Sequence, residues 1–113
     1  MSNISTHILD TTRGLPAPDV AVSLEARRGD EFHPVSSHLT NTDGRVGGFL
    51  PEGEALAAGV YRLTFTTGEY FAQLGVEAFY PEVQITFQVH DGGRHHHVPL
   101  LLNAYGFTTY RGS

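Results

Sequence analysis

The sequence predicts an all-β fold, a two-layer sandwich with one short helix, and three observations carry that reading. Apolar and polar residues alternate with a period of two along several segments, the signature of half-buried strands. Turn-forming clusters separate these segments at short intervals, as in sandwiches and barrels. Only one stretch has helical spacing. At 113 residues, with 40% hydrophobic and 17% charged, the chain suits a single domain spanning positions 1–113 with one modest core.

Taken in order, the first strand is expected at Thr6–Thr11, with His7 and Leu9 on one face and Ile8 on the other. Val20, Val22 and Leu24 share a face in the next, and Phe32–Thr40 supplies a third. Tyr61, Leu63 and Phe65 alternate with Arg62, Thr64 and Thr66, and Val83–His90 alternates without a fault. Strands are also expected at Arg94–Leu102 and Tyr105–Tyr110. Arg13–Asp19, Arg28–Asp30, Asp43-Gly44, Pro51–Gly53 and Asp91–Gly93 carry the turn chemistry between them. The helix falls after Thr66. Thr66 and Glu69 form a candidate capping box, Tyr70, Phe71 and Leu74 share a helical stripe, and Gly75 closes the segment.

Composition narrows function. The net charge of −5 and the scattered seven arginines provide no basic stripe for nucleic acid. The absence of lysine removes Schiff-base chemistry, and the absence of cysteine removes disulfides, thiolate nucleophiles and cysteine-based zinc sites. No apolar run reaches the length of a membrane span, and the polar Met1–Ile8 is unlike a signal peptide, so a cytoplasmic protein is expected. No Gly-Xaa-Ser-Xaa-Gly elbow supports a serine nucleophile. Seven histidines are many for this length. Strand alternation sets His95, His97 and Leu101 on one face of the histidine tract and His96, Val98, Leu100 and Leu102 on the other. A histidine pair on a strand is commonly solvated, an arginine after Asp-Gly is commonly a turn residue, and a glycine-containing chain end commonly frays. His33, His38 and His90 are read as surface residues.

At a first level, Thr42-Asp43-Gly44-Arg45 followed by Ala58–Leu63 resembles a turn-and-strand pattern of prealbumin-like sandwiches, most of which bind or build rather than catalyse. More specific blocks occur in order along nearly the whole chain. His7-Ile8-Leu9-Asp10-Thr11 through Gly14-Leu15-Pro16-Ala17, then Thr42–Arg45, Phe79–Val83, His95–Leu102 and the terminal Tyr110-Arg111-Gly112-Ser113 resemble the motifs of 5-hydroxyisourate hydrolases. The last tetrapeptide separates those hydrolases from the hormone carrier transthyretin, their structural relative. Departures are His96 where the family usually has tyrosine, Asn103-Ala104 for Ser-Pro, and Phe107 and Thr108 for tyrosine and serine.

The resemblance implies a transthyretin-like (prealbumin-like) sandwich of about eight strands, assembled as a homotetramer with active sites in the channel between dimers. It implies hydrolysis of the lactam ring of 5-hydroxyisourate to 2-oxo-4-hydroxy-4-carboxy-5-ureidoimidazoline in urate degradation, without a metal or other cofactor. Carried over by motif, His7, Arg45, His97 and Ser113 would be catalytic. Tyr110 and Arg111 would support them, with Leu9 and His95 as wall residues. Imidazoles can move the protons and a guanidinium can hold an oxygen-rich heterocycle or a developing oxyanion. Which histidine is base and which is acid stays open at this point, as does the share of the Ser113 hydroxyl against a terminal carboxylate. Three other readings are a His-ligated zinc hydrolase using His7, His95 and His97, a non-enzymatic carrier, and a structural or adhesive module from a larger secreted chain.

Overall fold

The computed structural model describes residues 2–113. Met1, where the polar opening segment starts, lies outside the described residues. Among the described residues there are nine strands and one helix: β1 (Ile4–Asp10), β2 (Leu15–Pro16), β3 (Ala21–Arg28), β4 (Glu31–Leu39), β5 (Arg45–Val46), β6 (Gly59–Phe65), α1 (Thr67–Gln73), β7 (Val83–Val89), β8 (His96–Asn103) and β9 (Gly106–Thr109). The expected all-β sandwich is what forms, with the seven long strands within a few residues of their predicted limits.

One sheet runs β4-β3-β6-β7, antiparallel throughout. The other runs β2-β1-β8-β9, and the two-residue β5 also pairs with β1. Here β1 and β8 run parallel, in register from Ile4 opposite His96 to Asp10 opposite Leu102. Alternation decides which side chains meet between the sheets. Ile4, Ile8 and Leu100 from one sheet and Val22, Leu24, Leu63 and Phe65 from the other are fully buried. Each such burial contributes roughly 1.5–3 kcal/mol against chain entropy. The wet face of the β4-β3-β6-β7 sheet carries Arg62, whose Nε and Nη2 both donate to Glu25 Oε1 (2.9 and 2.8 Å) while its guanidinium lies 4.1 Å from the Phe32 ring centroid.

The helix forms where expected and Gly75 closes it at φ 71°, but its start is built differently. Thr66 occupies the N-cap without a side-chain cap bond, and its Oγ1 donates to Ala21 O at 2.9 Å. The predicted capping box with Glu69 is therefore absent. Leu74 is 41% exposed, so of the expected stripe only Tyr70 and Phe71 are buried, beside Thr67 in the first turn. A helix this short is held by packing rather than by propensity.

Its strongest polar tie is to β1. Asp10 is buried, its Oδ1 accepting from the Thr12 and Arg13 backbone N–H groups (3.1 and 3.2 Å) and its Oδ2 from the Tyr70 hydroxyl at 2.8 Å. Burial, followed by Asp10, raises the Tyr70 phenol above its ordinary pKa, so it remains a donor at neutral pH. Tyr70→Phe leaves a buried carboxylate short of a partner, and should cost about 1.5–3 kcal/mol of unfolding free energy. Urea denaturation at pH 7 measures it, and an unchanged midpoint would remove the tie from the account of the fold.

Candidate active site

The site is assembled on the outer face of the mixed sheet, where β5, β1 and β8 lie side by side. On β1 the residues Ser5, His7 and Leu9 alternate away from the core side chains Ile4, Thr6 and Ile8. The parallel register sets Ser5 opposite His97, His7 opposite Pro99, and Leu9 opposite Leu101. On the other flank Arg45 is opposite His7. Residues near the two ends of the chain thus share one surface because two strands of like direction are paired.

Arg45 is delivered by a turn that depends on glycine. Asn41 Oδ1 accepts from the N–H groups of Asp43 (2.9 Å) and Arg45 (3.0 Å), and Gly44 O accepts from Ile8 N–H at 2.8 Å. Gly44 has φ 73°, and a Cβ there would meet the Ile8 carbonyl oxygen at 2.5 Å. Only a residue without a side chain lets the turn lie this close to β1.

The chain end is tied down as well. After β9, Gly112 N–H donates to His97 O at 2.8 Å in an isolated antiparallel bridge. A Cβ on Gly112 would come within 2.7 Å of His97 Cδ2 and 3.2 Å of Pro99 Cγ. This glycine is accordingly a matter of close approach to the imidazole, and Gly112 is not among the glycines with positive φ. The tail does not fray. It packs against the ring and carries Ser113 to the site.

Ser5, Arg45, His95, His97 and Ser113 line one depression of about 310 Å³. Ser5 is 6% exposed, and its Oγ lies 2.7 Å from His95 Nε2 and 2.8 Å from His97 Nδ1. That commitment of Nδ1 leaves Nε2 of His97 for a water or ligand. His7 stands beside this group on β1, close enough for its charge to act on His97. His96 points the other way, as alternation requires. It is buried, and its Nδ1 pairs with Arg94 O at 2.9 Å. His33, His38 and His90 are exposed.

In the single protomer the remaining predicted residues lie apart from the depression. Tyr110 and Arg111 line a more apolar groove between β7 and β8, which shares His97 as a wall. Leu9 sits farther along β1 beside Leu101, both half-buried. Ser5 is the residue that sequence reasoning missed. Its signal was present, since it lies two positions before His7 on a strand and so shares its face. Among the described residues no three His, Cys, Asp or Glu side chains converge as a metal-holding group, and His95 and His97 both turn a nitrogen to Ser5.

Both site imidazoles are biased towards neutrality. Burial lowers the pKa of His97, and Arg45, His7 and His95 lower it further because a second cation is repelled. Burial and Arg45 likewise lower His7, with the Asp43 backbone and carboxylate pulling weakly the other way. Both should therefore titrate below about 6.5 and be bases at neutral pH. Replacing Arg45 with Met removes a cation from beside both imidazoliums, which should raise both midpoints. Ring-proton shifts followed by NMR against pH measure this, and midpoints that stay or fall would contradict the electrostatic account.

With this geometry in place, the likeness to known proteins is informative. Residues 4–112 match the family model described as the HIUase/Transthyretin family. The chain is 45% identical over 114 residues to 5-hydroxyisourate hydrolase 2 of Rhizobium meliloti, covering 97% of this chain and 95% of that one. The solved 5-hydroxyisourate hydrolase of Klebsiella pneumoniae superposes with a TM-score of 0.85 at 42% identity, over 99% of this chain and 100% of that one. Sea bream transthyretin, solved in complex with thyroxine, superposes with a TM-score of 0.90 at 28% identity, over 97% and 94%. The sandwich, the order of its motifs and full-length similarity agree, and the chain belongs to the HIUase/Transthyretin family.

Proposed function

We propose that this protein is a 5-hydroxyisourate hydrolase that opens the lactam ring of its substrate at the depression beside β1, β5 and β8. The observation that carries the reading is the convergence there of Arg45, His95, His97 and Ser113, with His7 adjacent. Sandwich shape alone does not decide between carrier and enzyme, since both superpose on it. A pocket holding a fixed cation and a neutral imidazole with a free nitrogen suits polar chemistry on a planar, oxygen-rich ring.

In the mechanism this supports, His97 Nε2 removes a proton from water as the water oxygen attacks the lactam carbonyl carbon. The carbon–nitrogen bond then breaks and the ring nitrogen takes up a proton. Arg45 stabilises the carbonyl oxygen as it gains negative charge, and its charge also keeps His7 and His97 neutral and hence competent as bases. His7 lies next to Arg45 in register, placed to orient substrate or supply a proton. Ser113 closes one side of the depression. Tyr110 and Arg111 line the neighbouring groove and would act on substrate from there only in an assembly that brings the two surfaces together.

That assembly is a proposed homotetramer. The depression is open, and Leu9, Leu101 and the 57% exposed Tyr110 leave apolar surface beside it that a second copy would cover. No helix among the described residues is long and apolar enough to cross a membrane. The proposed compartment is the cytoplasm, where a chain that folds without disulfides needs no oxidising environment.

Freshly generated 5-hydroxyisourate followed by ultraviolet absorbance tests the reading. The protein should accelerate its loss well beyond spontaneous decay, leave urate unchanged, and scatter light as a tetramer at the assay concentration. Equal decay with and without folded protein would end the enzyme reading. Gly112→Ala provides an independent check on the site, because its Cβ would push on the His97 ring. Displacement of a reacting group by a few tenths of an ångström to 1 Å should lower kcat by roughly 10- to 100-fold. Circular dichroism should be unchanged, and a fully active variant would separate the tail from the chemistry.

A further inference from the structure

The hydrogen bonds around Ser5 constrain more than the position of His97. A hydroxyl has one proton to donate, and a neutral imidazole carries its single N–H on one of two nitrogens. His95 Nε2 and His97 Nδ1 both converge on Ser5 Oγ, at 2.7 and 2.8 Å, so they cannot both accept from it. Nor can both donate without leaving the hydroxyl proton of a buried serine unpaired, which is unfavourable. One histidine donates to Ser5 while Ser5 donates to the other.

Two arrangements satisfy that rule. In one, His97 Nδ1–H donates to Ser5 and Ser5 donates to His95 Nε2, so His97 Nε2 is an open lone pair, a base. In the other, His95 Nε2–H donates to Ser5 and Ser5 donates to His97 Nδ1, so His97 carries its proton on Nε2 and is an acid. We propose that Ser5 is a positioning residue that couples His95 to His97 and, through the direction of its hydroxyl, sets whether His97 Nε2 takes or gives a proton. The inference rests on the hydrolase reading for its consequence in turnover, but not for the coupling itself.

The proton count closes. When His97 Nε2 takes a proton from the attacking water, its Nδ1 proton passes to Ser5 Oγ as the Ser5 proton passes to His95 Nε2. His95 is exposed, and it returns to neutrality by losing its Nδ1 proton to solvent. His97 is then neutral with its proton on Nε2, the form that can protonate the departing ring nitrogen. When it does so, Ser5 gives its proton to His97 Nδ1, His95 Nε2–H gives its proton to Ser5, and His95 Nδ1 recovers one from solvent. The cycle ends where it began.

Ser5→Ala, His95→Ala and the double variant test this, with His95 chosen because an exposed side chain can be truncated without endangering the fold. Each single variant should lower kcat about tenfold or more with KM within about twofold, and the double should be no slower than Ser5→Ala, as for one linked unit. Without substrate, at a pH where both rings are neutral, 15N shifts of the His97 ring should show a changed Nδ1–H to Nε2–H population in His95→Ala, because the hydrogen-bonded link between the two rings runs through Ser5. Multiplying losses in the double variant, wild-type kcat in Ser5→Ala, or an unchanged His97 tautomer pattern in His95→Ala would each overturn the coupling. A wild-type protein with no turnover whose His97 tautomers still respond to His95→Ala would uphold the coupling and overturn the hydrolase reading instead.

Discussion

The parallel pairing of β1 with β8 is the constraint on which the rest of the site depends. It joins strands from the two ends of the chain, Ile4–Asp10 and His96–Asn103, whereas the other strand pairings among the described residues are antiparallel. Its register is held by the core, because Ile4, Ile8 and Leu100 must face inward together. A slip of one residue would turn those side chains to solvent and drive Ser5 and His7 into the apolar layer. Correct placement of the polar residues is thus enforced by the burial of the apolar ones between them.

Two close approaches then bring in the remaining groups. Gly44 lets the Asn41–Arg45 turn press against Ile8 and sets Arg45 in register with His7. Gly112 lets the last residues lie on the His97 ring and brings Ser113 to the depression. Each uses the missing Cβ to gain space, and only Gly44 also uses positive φ. The electrostatic result follows from the geometry. A permanent cation beside two partly buried imidazoles disfavours their charging, so Arg45 helps to keep both as bases.

The fold and the chemistry occupy different faces of the same strands. Inward residues specify a sandwich that a thyroxine-bound transthyretin shares at a TM-score of 0.90, whereas the outward residues of β1, β5 and β8 carry the ionisable groups. Function on such a scaffold is a matter of a few surface positions. Remote polar ties, such as Tyr70 to Asp10, hold the far end of β1 in place without entering the site.

Local pattern alone determined the seven long strands and the faces of His7, His95, His96 and His97, because alternation is a property of consecutive residues, whereas the two-residue β2 and β5 have no such pattern and form only by pairing with β1. The ordered motifs also marked Arg45 and the terminal tetrapeptide. The partners of those groups were decided only in three dimensions. Thr66 has the spacing of a capping box, yet it makes no side-chain cap bond and its hydroxyl donates across to the Ala21 carbonyl on β3. Ser5 has no motif of its own, and becomes significant only because β8 lies alongside and presents two imidazole nitrogens to one oxygen. Tyr110 and Arg111 follow each other along the tail, yet both face a groove walled by β7 rather than the depression that receives Ser113. Spacing along a chain specifies direction within one strand, while a hydrogen bond requires two strands to meet at a given register, which the packing of the whole core selects.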